Sequence, residues 1–146
     1  MKKLQFIASI LFFLIFIFSC SKTEVVPKTK TDLLIANVWK LSKVVEVRSS
    51  KNTIIFEKGI TSASSRDDFN KVRISFLRDG TTNLIDGDNL KTSGTWIFTN
   101  NETQIETQRG NSTSKYTLYI DKLEEGKLNF SEKDGGDAAQ YELIPE

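Results

Sequence analysis

Residues 38–48, VWKLSKVVEVR, decide the fold class. Trp39, Leu41, Val45 and Val47 share one parity, while Lys40, Ser42, Glu46 and Arg48 hold the other. Side chains of a strand point alternately to its two faces, so this period of two describes a strand with one face in a core and one in water. The same alternation recurs downstream. Ile54 and Phe56 begin a second strand, ended by Lys58-Gly59, and Val72, Ile74 and Phe76 form a third before the turn Arg78-Asp79-Gly80-Thr81. Residues 82–85 are a short strand closed by Asp86-Gly87-Asp88-Asn89. Trp96 and Phe98 mark the next, which turns at Asn100-Asn101-Glu102, and Thr103, Ile105 and Thr107 follow. Tyr116, Leu118 and Ile120 lead to the turn Glu124-Glu125-Gly126-Lys127, then Leu128 and Phe130, then Tyr141 and Leu143 before Pro145.

That is about nine short strands joined mostly by tight turns, with no helical pattern of ten or more residues in the body. Such spacing predicts an antiparallel up-and-down β-barrel of about eight strands, or alternatively a β-sandwich, and excludes alternating βαβ units. Ahead of the first strand, Leu33-Leu34-Ile35-Ala36 follows Thr31-Asp32, which can cap one helical turn. Residues 59–71 are the longest connection, a candidate lid or mouth in which Ser64-Ser65-Arg66-Asp67-Asp68-Phe69 suits a short helical turn.

The first twenty residues are of another kind. Lys2 and Lys3 precede residues 6–18, all apolar except Ser9, and Ser19 stands before Cys20, the single cysteine. A positive start, an apolar run and a small residue before a cut are the parts of a secretory signal. The run is thirteen residues, short of the roughly 20 that span a bilayer as a helix. A cysteine directly after such a cut resembles the lipobox of bacterial lipoproteins. That resemblance implies cleavage between Ser19 and Cys20 and lipidation of Cys20 by acyl chains such as palmitate. It also implies anchoring to a membrane of the cell envelope; Ser21 after the cysteine leans toward the outer membrane, on its periplasmic or surface face. Residues 1–19 are then a signal peptide and residues 20–31, polar and carrying Pro27, a lipidated flexible tether. Residues 32–146 form one domain.

The order of signals within that domain is similar to the lipocalin-like domains of small bacterial lipoproteins. The resemblance is carried by Leu33-Leu34-Ile35-Ala36-Asn37-Val38-Trp39-Lys40-Leu41, then Phe76-Leu77-Arg78-Asp79-Gly80-Thr81, then Ser93-Gly94-Thr95-Trp96-Ile97-Phe98, then Tyr116-Thr117-Leu118-Tyr119-Ile120. It implies an eight-stranded up-and-down barrel with a short N-terminal helix closing one end. Asn37 stands where the transport lipocalins carry glycine. A large ring at Trp39, at the start of the first strand, is placed to plug the barrel base.

Composition narrows the chemistry. The chain has 20 Lys and Arg against 19 Asp and Glu, and no histidine. A near-neutral body with both signs interspersed carries no electrostatic footprint for nucleic acid. Without histidine there is no Ser-His-Asp or Cys-His arrangement and no histidine-bound zinc. Asp67-Asp68 and Glu124-Glu125 read as solvated loop acids, and Asp86-Gly87-Asp88-Asn89 lacks the alternating ligands and distal glutamate of an EF-hand loop. Asp134-Gly135-Gly136-Asp137 reads as a turn in the same way. The expectation is a non-enzymatic protein with no metal site and no cofactor. An eight-stranded interior is either filled by side chains or holds one small ligand. Two functions follow: binding of a small apolar or amphipathic ligand, with Trp96, Phe98 and Tyr116 as candidate contacts, or a solid-core protein-interaction module of the envelope.

Overall fold

The computed structural model describes residues 27–60, 69–110 and 112–146. The expected signal peptide, the Ser19–Cys20 junction, residues 21–26 of the tether and residues 61–68 of the long connection lie outside the described residues.

All nine strands read from the alternation are present: β1 (Val38–Arg48), β2 (Lys51–Glu57), β3 (Arg73–Phe76), β4 (Thr81–Ile85), β5 (Lys91–Thr99), β6 (Gln104–Arg109), β7 (Lys115–Glu124), β8 (Lys127–Asp134) and β9 (Asp137–Pro145). Neighbours from β3 to β9 pair antiparallel in chain order, and β1 pairs with both β3 and β9. Eight strands therefore close on themselves, which removes the free edges an open sheet would expose. The ninth, β2, pairs with residues 43–48 of β1, while β3 pairs with residues 38–40 of the same strand. A long β1 thus serves two short neighbours on one side, with β2 extending the wall at the upper end.

The barrel base is sealed by a helix, α1 (Lys30–Ile35). Its cap is Thr29, two residues earlier than the sequence suggests. The Thr29 hydroxyl accepts from the Asp32 amide at 3.1 Å, and the Asp32 carboxylate accepts from the Thr29 amide at 3.2 Å. This reciprocal box satisfies amides that a one-turn helix cannot pair internally. The Thr29 hydroxyl also donates to the Asp32 carboxylate at 2.7 Å, and that bond first, with Arg78 second, pulls the Asp32 carboxyl down to about 2. Asp32 also meets Arg78 of the β3–β4 turn at 2.6 Å. Lys30 donates to the Glu102 carbonyl in the β5–β6 turn at 2.7 Å, and Lys28 pairs with Glu125 in the β7–β8 turn. Three successive lower turns therefore hold the helix across the end.

Core residues follow parity. Leu34, Trp39, Leu41, Val44, Phe56, Phe76, Trp96, Ile105, Leu118, Leu128, Phe130 and Leu143 are buried in one cluster. Burying each such side chain is worth about 1.5–3 kcal/mol, so the interior, not the exposed ion pairs, holds the barrel together. In β1 the parity departs from the sequence reading. Trp39 and Leu41 face in, but the register then slips between Leu41 and Lys43 against β9 and between Val44 and Val45 against β2. The first slip leaves Ser42 extra on β1 and turns Val44 inward, while the second leaves Ile55 extra on β2; Val45 and Val47 are only half-buried.

Candidate functional site

Aromatic residues fill the lower barrel. The Trp96 ring meets Phe76 edge-on at 5.5 Å and Phe98 edge-on at 5.4 Å, and its Nε1 donates to the Leu77 carbonyl at 2.9 Å. Trp39 lies beside α1, fully buried, its Nε1 donating to the Leu34 carbonyl at 2.8 Å. Each indole N–H has the partner that burial demands, so these rings are locked structural floor. Two of the three candidate ligand contacts, Trp96 and Phe98, belong to this floor. The third, Tyr116, sits far higher on β7, 43% exposed, with the Arg109 guanidinium 5.4 Å from its ring centroid. None of the three lines the interior cavity.

The cavity lies above the floor, with a volume of about 280 Å³. Leu41, Ile74, Leu84, Leu118, Phe130 and Leu143 supply apolar wall. Its room comes from small residues at inward positions on three adjacent strands: Thr82 of β4, Thr92 and Gly94 of β5, and Thr107 of β6. The register sets Thr82 opposite Gly94, Leu84 opposite Thr92, and Trp96 opposite Thr107. A layer of threonine and glycine above a layer of tryptophan and phenylalanine leaves space that no neighbouring side chain reaches. Gly94 belongs there for a further reason: a Cβ would lie 2.1 Å from the Gln108 carbonyl oxygen.

Polar groups gather where the cavity meets the upper end. Arg109, Glu132 and Tyr141 all line it. The Tyr141 ring stacks on Phe130 at 5.0 Å, and its hydroxyl donates to the Glu132 carboxylate at 3.3 Å. Burial first, and the adjacent Glu132 charge second, push the phenol up to about 12. The result is an apolar chamber with one cation, one carboxylate and one neutral phenol at its rim. Sequence reading passed over this trio, although a signal was present. Arg109 shares the inward parity of Ile105 and Thr107, and Glu132 that of Leu128 and Phe130. A charge on the core-facing parity is a mark of a polar interior feature.

The loop acids take structural roles. The Asp86 carboxylate accepts from the amides of Asp88 and Leu90 at 3.0 and 2.9 Å, which makes residues 86–90 a side-chain-braced turn. Residues Asp134-Gly135-Gly136-Asp137 form the β8–β9 turn. Glu124 pairs with Lys122 at 3.0 Å, and Glu125 with Lys28. Asp67 and Asp68 lie outside the described residues. Among the described residues no group of three or more acidic, histidine or cysteine side chains is placed to hold a metal ion. No protein-family model, curated protein or solved structure matches this chain.

Proposed function

We propose that this barrel is a non-catalytic binding protein that holds a small amphipathic molecule in its interior cavity. The observation that carries this reading is the cavity of about 280 Å³, apolar on its walls and polar at its mouth. A molecule with an apolar body and a polar end matches both surfaces, whereas water would leave the leucine and phenylalanine wall poorly solvated. At about 30 Å³ per heavy atom, the share of a water in the liquid, such a cavity takes about nine or ten heavy atoms.

The test uses 1-aminonaphthalene, an uncharged two-ring fluorophore small enough for the chamber that brightens and shifts to the blue in apolar surroundings, competed by straight-chain alcohols. Displacement should strengthen with chain length up to about ten carbons and then level off. Leu84→Trp, which fills the chamber, should abolish both probe binding and displacement. Probe binding that survives Leu84→Trp would refute the reading.

The proposal extends to location. The lipobox-like junction supports lipidation at Cys20, with the chain between Cys20 and the Thr29 cap of α1 tethering the lipocalin-like domain to the outer membrane. Labelled palmitate should enter the wild-type chain and not Cys20→Ser; equal labelling would rule the anchor out.

A second reading, an envelope interaction module, is favoured by β2. Among the described residues this strand pairs with β1 on one side only, and Ile54 on it is 55% exposed. A one-sided strand with an exposed isoleucine is a surface on which another chain can dock. Under that reading Ile54→Lys abolishes cross-linking to an envelope protein and leaves probe binding unchanged.

A further inference from the structure

The barrel wall has a break. The β7–β8 ladder runs upward from Glu124 opposite Lys127 and ends at Tyr119 opposite Ser131. Above that point the two strands follow different neighbours. Residues 115–118 of β7 stay paired with β6, and residues 132–134 of β8 stay paired with β9 down to the turn at Asp134 and Asp137. Had the ladder continued, Leu118 would face Glu132 and Thr117 would face Lys133. Instead a cleft of about 600 Å³ opens there, walled by Thr117 and Tyr119 on β7 and by Glu132 and Lys133 on β8, and it runs on over the upper end to Glu46 of β1 and Ala139 of β9. Backbone groups left without a strand partner need water or another polar partner, so a wedge of this kind is kept open to solvent and not packed shut.

Glu132 lines both the cleft and the interior cavity. Phe130, Tyr141 and Leu118 line the cavity beside it. At the lower lip Lys133 of β8 sits 4.2 Å from the centroid of the Tyr119 ring of β7. This is a cation–π contact across the point where the ladder stops. Contacts of this kind at exposed sites are weak, so thermal motion opens it readily.

Resting on the ligand reading above, we infer that the cavity is entered sideways. A small uncharged amphiphile passes between β7 and β8, moves past Glu132, and leaves its polar end at the Glu132–Tyr141 rim. At that rim the Glu132 carboxylate, half-buried and accepting from Tyr141, stands with the Arg109 guanidinium, so the pair suits an uncharged polar end better than a lone charge of either sign.

The experiment uses the full chain carrying Cys20→Ser with Thr117→Cys and Lys133→Cys, two outward-facing positions on opposite lips. A short cleavable bismaleimide then ties the lips together. A control pair, Glu106→Cys and Thr117→Cys, ties β6 to β7 across an intact ladder. With 1-aminonaphthalene as probe, the lip cross-link should slow both uptake and release by about tenfold or more while leaving the dissociation constant unchanged, and cleavage of the linker should restore both rates. The control cross-link should leave the rates as they were. Independently, Lys133→Ala should speed uptake and release together by about twofold, as expected for loss of a weak cation–π latch. Rates indifferent to both the lip cross-link and Lys133→Ala, in protein that binds the probe, would overturn the lateral passage alone. Absence of probe binding in the uncross-linked parent would overturn the ligand reading and the passage with it.

Discussion

Trp39 and Leu34 are joined by a hydrogen bond of 2.8 Å from the indole Nε1 to the helix carbonyl, with both residues fully buried. This one contact ties the first strand to the plug helix from inside the core. Trp39→Phe keeps most of the ring volume but leaves the Leu34 carbonyl without its donor. A buried acceptor orphaned in this way costs about 1–3 kcal/mol. Trp39→Ala adds the cavity of a lost ring and should cost about 3–5 kcal/mol. Urea unfolding of the two variants should therefore separate the hydrogen bond from the packing; an unchanged stability in Trp39→Phe would mean that the bond contributes nothing.

A backbone approach makes the second prediction. Gly94 lies so close to β6 that a Cβ would sit 2.1 Å from the Gln108 oxygen and 3.1 Å from the Arg109 Cα. These are main-chain atoms, which cannot rotate aside as a side-chain tip can. Gly94→Ala must push β5 and β6 apart beneath the cavity, at a cost near the upper end of overpacking, about 3 kcal/mol. Thermal unfolding with calorimetry would read it. Gly126→Ala, where nothing lies within 4 Å but φ is +79°, should cost only the smaller left-handed penalty of about 1 kcal/mol.

How much of this was legible in the sequence divides along physical lines. Strand number and order were legible, because side-chain alternation is a local property that turns punctuate. Parity within β1 was not, beyond Ser42. The register slip at Ser42 turns Val44 inward, and a bulge depends on how the partner strand β9 aligns, not on the bulged residue alone. The cap was misplaced by two residues because Thr31 stands closest to the apolar run; the reciprocal bond to Asp32 selects Thr29. Among candidate contacts, Trp96 and Phe98 are inward as expected but belong to the floor, since size at one level says nothing about which level is empty. The void is legible only once Thr82, Thr92, Gly94 and Thr107 are known to be neighbours, and that knowledge is the register itself.

Ser49 and Ser50 form the two-residue β1–β2 hairpin turn, both with positive φ, 47° and 65°. Two left-handed residues in succession are the signature of a type I′ turn, for which Asn-Gly is the favoured pair. Serine pays a Cβ penalty at each position that glycine avoids and asparagine tolerates. Replacing the pair by Ser49→Asn and Ser50→Gly should stabilise the barrel by about 0.5–1 kcal/mol. The check is a rise in the urea midpoint at unchanged slope. A fall would show that the serines hold the turn in a way the backbone angles do not explain.

Tyr141 and Glu132 supply the pH-dependent prediction. The phenol is held up at about 12, from an ordinary 10.0, by burial first and by the Glu132 charge and hydrogen bond after it. An acid whose folded value is raised contributes stability that is fully present below the unfolded value. Above pH 10.0 the unfolded chain ionises Tyr141 while the folded barrel does not, so the unfolded state binds fewer protons and stability falls with rising pH. The loss should run from about pH 10 to about 12 and be complete above it. Tyrosinate absorbance should show a late step near pH 12 that Tyr141→Phe lacks. In Glu132→Gln the step should move down, because the neighbouring charge is gone, but stop short of 10.0, because burial remains. A Glu132→Gln step that did not move would show that Glu132 exerts no field on the phenol. A step that fell all the way to 10.0 would show that Tyr141 is open to water, and that the rim of the cavity is wetter than its packing against Phe130 implies.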